Sequence, residues 1–289
     1  MAHAGVSGTR DTDAAPRWDR DALLASPFFA SIATALAALP AERFPRLDDL
    51  NTLAAIRAVK SGGGAPIRFV PPAPAATFED LYEVRIHREG AVATRAENWH
   101  DLFNALVWLS FPRTKAVLNA HHYREMLARR GERLRGTARD VLSLFDEGGI
   151  VVACARGSLA DLLVGFRWKA LFWECRAEVE RSMRFRVFGH AIHEKAVAPF
   201  RGITAKALIV PVAREDLALP LEEELAMLDE RAAAYFATED ALASTRSLPP
   251  LPVLGIPGWT PENENPGYYD DTDHFRPGRI RGAGARSGT

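Results

Sequence analysis

The chain has 289 residues, 47 % hydrophobic and 25 % charged, with a formal net charge of −1. This balance allows a substantial core, excludes a largely disordered chain, and gives no overall electrostatic pull toward nucleic acid or anionic lipid. Cys154 and Cys175 have no metal-ligand spacing, so a disulfide framework or cysteine cluster is not expected.

Residues 1–16 are small, polar and aperiodic, and read as a disordered N-terminus. The uncharged stretch 22–39 lacks the basic start of a signal peptide. Ser26-Pro27 opens a helix there, and Phe28, Ile32, Leu36 and Leu39 share one stripe, as in a soluble amphipathic helix too short to span a bilayer. A second helix covers 48–60 and ends at Ser61-Gly62-Gly63-Gly64. Residues 67–70 read as a strand. Residues 82–87 and 91–94 alternate around Arg88-Glu89-Gly90 and read as a β-hairpin. A helix opens at Asn98, and Pro112 ends it and starts another. Residues 141–145 and 150–154 flank Asp146-Glu147-Gly148-Gly149, the pattern of a second hairpin. Helices at 160–180, 190–197 and 221–241 and strands at 184–188 and 207–212 follow.

The expected class is α+β: a core at 17–248, its sheet built partly from the two hairpins, then an irregular strap at 249–278 and a disordered end at 279–289. Trp259, Tyr268, Tyr269 and Phe275 should anchor the strap on the core, beside the functional cleft. The Asp270, Asp271, Asp273, His274 cluster reads as a solvated turn, because it lacks the Gly and Glu of a calcium loop. The arginines 124, 129, 130, 133, 135 and 139 read as a solvated face, with a phosphate-binding surface as the alternative. Asp101-Leu102 to Trp108 is echoed by Asp161-Leu162 to Trp168, which reads as the shared pattern of two amphipathic helices, with an internal repeat as the alternative.

The chemistry concentrates in a few segments. His100 and Asn104 are four apart and share a helix face. Lys115, Asn119 and His122 share a face of the next helix, and the Pro112 break folds the two faces toward one another. His100, with Asp101, Asn104 and His122, is the candidate catalytic set, because imidazole titrates near neutrality. Lys115, Asn119, Asp146, Glu147 and Arg276 are candidate binding residues. His190 and Glu194, one helical turn apart, are candidate ligands for a divalent metal, the only cofactor these residue types suggest.

The run Asn98-Trp99-His100-Asp101-Leu102-Phe103-Asn104, continuing to Lys115, resembles the hallmark of a bacterial family catalogued as a domain of unknown function. Segments 139–147, 188–195 and 263–276 resemble it more loosely, with Ser143 where the family has Thr and His121 where it admits Arg. The resemblance implies a bacterial, cytoplasmic setting and no mechanism.

The expected function is an enzyme with a polar cleft carrying out hydrolysis or group transfer on a small molecule, with a metal assisting where one is held. Nucleic acid and membranes are not expected partners. One alternative is a non-catalytic binding or scaffold protein in which these residues are structural glue. A narrower alternative is a ββα-metal nuclease, with His87 on a hairpin ahead of the helix bearing His100 and Asn104.

Overall fold

In the computed structural model, residues 17–128 and 137–278 are described. The predicted tails at 1–16 and 279–289, and arginines 129, 130, 133 and 135, lie outside them.

The first helices are α1 (Arg20–Ala25), α2 (Ala33–Ala37) and α3 (Leu47–Ile56). Ser26-Pro27 does start a helical turn, but Pro27–Ile32 winds as a 3₁₀ segment that leads into α2. Phe28, Phe29, Ile32, Leu36 and Leu39 from this stretch are all buried in the core. No helix among the described residues is long and apolar enough to cross a membrane.

The first expected hairpin is not formed. β1 (Arg68–Val70) pairs in parallel with β2 (Ala91–Ala93), and residues between them form α4 (Tyr82–Glu89). The Tyr82, Val84, Ile86 alternation mimics a strand, but the tertiary setting buries Val84 and Ile86 on a helix. Gly90 stops it in the left-handed conformation (φ 69°) and permits a backbone approach in which a Cβ would lie 1.9 Å from the Pro66 carbonyl.

α5 (Trp99–Ser110) opens as expected, with the Asn98 side chain accepting from the Asp101 amide at 3.0 Å. α6 (Pro112–Ala128) follows almost at once. Its first amides, from Arg113 and Thr114, donate to Asp229 at 2.9 and 2.8 Å. Asp229 is buried and comes from a later helix, so the cap of α6 is supplied in trans.

The second expected hairpin is also replaced. α7 (Thr137–Gly148) runs directly into β3 (Gly149–Cys154). Val141, Leu142 and Phe145 have helical spacing and are all buried. Asp146 and Glu147 therefore sit in the last turn of a helix rather than in a hairpin loop. Downstream, the expected long helix divides into α8 (Gly157–Val164), a π turn at Ala170–Glu174 and α9 (Arg176–Ser182), with Phe166 at φ 57° in the break. The Asp101–Trp108 echo is therefore no structural repeat: the first copy lies within one helix, while the second runs past the end of α8.

β4 (Met183–Val187), α10 (His190–Ala196), β5 (Thr204–Pro211), α11 (Leu221–Phe236), α12 (Glu239–Leu242) and β6 (Pro250–Pro252) complete the fold. The main sheet has the order β4-β3-β5-β6. β3 pairs antiparallel with β4 and parallel with β5, and β5 pairs antiparallel with β6. All six residues of β3 are buried, as for a strand covered on both faces. The molecule is α+β with a mixed sheet packed among helices.

The strap packs on the core, with Tyr269 and Phe275 buried and Trp259 against Phe28 at 4.6 Å. It does not wall the cleft described below. It lies over Trp168 and Phe172 instead, where the Trp168 indole donates to the Arg276 carbonyl at 2.9 Å.

Candidate functional site

A cleft of about 460 Å³ opens where α4, α5, α6, α7 and α10 converge. α10 packs on both α5 and α7, which brings the start of α10 against the end of α7. That contact depends on Gly189. A Cβ there would lie 2.4 Å from the Glu147 carbonyl and 2.5 Å from the Gly149 nitrogen.

His100, Glu147 and His190 meet at the cleft wall, one ligand atom from each lying within 4.8 Å of the others. The two imidazoles meet edge to face, Nε2 to Nε2, at 3.1 Å. Glu147 Oε2 stands 3.4 Å from His190 Nε2. On the far side of its ring, His100 Nδ1 is 2.9 Å from Glu194 Oε2. Glu147 is held below the ordinary carboxylate range by its bond to His190, which outweighs its desolvation, so it is anionic at neutral pH. His190 is buried, while His100 and Glu147 face the solvent-filled side.

A second group lies one helical turn further along α5. Lys115 is 5 % exposed and lies over the Trp108 ring, 5.2 Å from its centroid. Its ammonium donates to Asp146 Oδ1 at 2.6 Å and to Asn104 Oδ1 at 2.9 Å. Asn104 Nδ2 in turn donates to the Tyr82 hydroxyl at 2.9 Å. Burial alone would raise Asp146, but Lys115 and neighbouring histidines outweigh it and hold the carboxyl low. Tyr82 is 42 % exposed as a residue, yet desolvation of its hydroxyl raises that group well above the ordinary phenol value.

Of the residues singled out by sequence, His100, Asp101, Asn104, His122, Asp146, Glu147 and His190 line this one cleft. Their roles differ from the expectation. Asp101 is occupied by a two-point pair with Arg95, at 2.8 Å from both Nε and Nη2. Glu194 does not pair with His190; it buttresses His100. Asn119 is a clamp beneath the cleft, accepting from the Gly62 amide at 3.2 Å and donating to Glu83 Oε2 at 2.8 Å. Lys115 is buried under the cleft floor, where it supports Asn104 and Asp146. Arg276 is exposed on the strap, remote from the cleft, with its Nε donating to Asp273 at 3.1 Å. The nuclease alternative loses its hairpin, and His87 stacks on Tyr123 with ring centroids 4.0 Å apart.

Tyr82 and Arg95 also line the cleft without having been candidates, and Arg139, expected on a solvated face, lines it too. In the sequence the alternation of Tyr82, Val84 and Ile86 has the period of a strand, which conceals Tyr82 as a helical residue of the cleft. The signal that would have found it is Gly90 as a helix stop eight residues on.

No curated protein and no solved structure matches the chain. The family model described as "Protein of unknown function (DUF3025)" matches residues 67–279, which include every cleft residue discussed above. The chain belongs to the DUF3025 family.

Proposed function

We propose that the protein is a metal-dependent hydrolase acting on a small molecule, with one zinc-like divalent ion held by His100, His190 and Glu147. The observation that carries this reading is the pair of imidazole Nε2 atoms 3.1 Å apart with a Glu147 oxygen 3.4 Å from that of His190, all three within 4.8 Å of one another. Ligand bonds of about 2.0–2.2 Å at tetrahedral or octahedral angles put neighbouring donor atoms about 2.9–3.5 Å apart. Two further features support it. Glu194 accepts from the outer nitrogen of His100, the carboxylate–histidine arrangement that orients a ligating imidazole. The acidic and basic groups at the cleft are Glu83, Asp101, Asp146 and Glu147 against Arg95, Arg139 and, beneath the floor, Lys115, an acidic excess of one that a divalent cation offsets. An ion in this position supplies an activated water near neutral pH and polarises a substrate oxygen.

One observation favours a second reading. His190 Nδ1 is buried without a partner among the described residues, whereas a ligating imidazole usually donates from its outer nitrogen. Without metal, His190 Nε2–H donates to His100 Nε2 and His100 Nδ1–H donates to Glu194. The pair then acts as a general acid–base relay.

Equilibrium dialysis of chelator-stripped protein against zinc, with elemental analysis, separates the two. The metal reading expects one ion per chain, loss of binding in His100→Ala and His190→Ala, and ester or phosphoester hydrolysis only in the loaded form. Stripped protein that takes up no ion but remains active would favour the relay, and iron in place of zinc would overturn the hydrolytic assignment.

A further inference from the structure

The polar network beside the metal triad has a direction fixed by donor chemistry. A lysine ammonium only donates, so the Asn104 side chain must present its oxygen to Lys115. Its amide nitrogen is then turned to Tyr82, whose hydroxyl oxygen accepts. The Tyr82 hydroxyl hydrogen has no acceptor among the described residues, and Tyr82 lines the cleft. Desolvation and the carboxylates of Glu83 and Asp146 keep it protonated.

Position supports a shared purpose with the triad. Asn104 follows His100 by one helical turn on the same face, about 6 Å along the axis. Asp146, the anion that fixes Lys115, immediately precedes Glu147. The two groups therefore share α5 and α7 and face the same space. Arg139 lines that space as well and makes no ion pair among the described residues.

We propose that Tyr82, aimed by the Lys115–Asn104 relay, is the oxyanion donor of the cleft. Its ligand is then a compound whose reacting group carries or develops negative charge on oxygen, an acyl or phosphoryl group, with Arg139 neutralising the bound anion. This assignment of substrate class rests on the hydrolytic reading above.

The test uses inorganic phosphate as probe, titrated calorimetrically into zinc-loaded and metal-free full-length protein. Tyr82→Phe keeps the ring and removes only the hydroxyl. Its phosphate affinity should fall about tenfold or more while zinc affinity is unchanged. Asn104→Leu should produce a similar loss with Tyr82 still present. The double variant should lose little beyond either single one, because the two residues act as a unit. Equal phosphate affinity in wild type and Tyr82→Phe, or no phosphate binding by wild type in the millimolar range, overturns the inference. Failure of zinc to bind overturns the metal reading alone: a Tyr82-dependent phosphate site in the metal-free protein would still stand.

Discussion

Lys115 and Asp146 show how one residue can hold both stability and site geometry. The ammonium is almost wholly withdrawn from water, and its carboxylate partner keeps 19 % exposure. Lys115→Met leaves Asp146 as an uncompensated, largely buried charge, which should cost about 3 kcal/mol at neutral pH. Native Asp146 titrates below its ordinary value, so the stability it contributes is complete at neutral pH and is lost as pH falls through that lowered value. In Lys115→Met the desolvation of Asp146 is no longer opposed by the ammonium, which moves its carboxyl upward, so the variant takes up a proton as pH falls and its deficit should shrink toward acid pH, as urea unfolding at pH 7 and pH 4 would show. A deficit that stayed constant would mean that packing against Trp108, not charge, is what the lysine supplies. His193 behaves in the opposite chemical sense. It packs against both Phe29 and Phe103, and burial pushes its imidazole down to about 3. The unfolded chain takes up a proton near pH 6.5 and the native one does not, so His193 lowers stability by about 1.4 kcal/mol per pH unit as pH falls from there toward 3. His193→Phe should flatten that part of the stability profile. Ser31 stays satisfied in this variant, because its hydroxyl donates to the Val187 carbonyl. An unchanged acid slope would disprove the assignment to His193.

At the scale of elements, the decisive contact is between the end of α7 and the start of α10. The amides of Phe188 and Gly189 both donate to the Gly149 carbonyl, at 3.0 and 2.8 Å. This closes the chain onto the α7–β3 junction and sets His190 beside Glu147. Gly189 is needed for clearance rather than for an unusual dihedral angle, since its φ is −62°. The atoms a Cβ would strike are backbone and cannot rotate away. Gly189→Ala should cost about 1–3 kcal/mol. In the fraction that folds, it should weaken zinc binding more than any substitution outside the ligands. Circular dichroism melting paired with dialysis would check both, and normal zinc affinity in a destabilised variant would show that the junction does not set the ligand spacing.

For the molecule as a whole, the strap and the cleft lie apart. Asn263 is fully buried and donates to the carbonyls of Leu254 and Ile256 at 3.0 and 2.7 Å, while the Tyr269 hydroxyl donates to Gly255 at 3.0 Å. Asn263→Ala leaves the Leu254 carbonyl without a donor, while the Ile256 carbonyl keeps the Trp259 amide at 3.1 Å, and should cost about 1–3 kcal/mol. At about 2–4 °C per kcal/mol for a domain of this size, the melting temperature should drop by several degrees. Zinc and phosphate affinity should not change, because no cleft residue comes from the strap. Altered zinc affinity in Asn263→Ala would show that the strap is coupled to the site after all.

Much of the candidate site was legible in the chain because helical spacing is local. His100 and Asn104 share a face at four residues, and the Asn98 cap and Pro112 break mark the ends of their helix. Periodicity also gave the strands at 68–70, 183–187 and 204–211 to within a few residues. Two short apolar runs were misread as hairpins, because alternation over four to six residues fits a strand and a doubly buried helix alike. That error hid Tyr82 and placed Glu147 in a loop. What the sequence by itself determined is the α+β class, the helix carrying His100, and an inventory of polar groups that a core would not keep without partners. What only the tertiary structure decided is which of those groups face one another. The Nε2 atoms of His100 and His190 meet although ninety positions separate the residues, and Glu194 turns to His100 rather than to its own helical neighbour. Such pairings depend on how α10 packs against α5 and α7, a long-range choice made by burial of their apolar faces that no local pattern encodes.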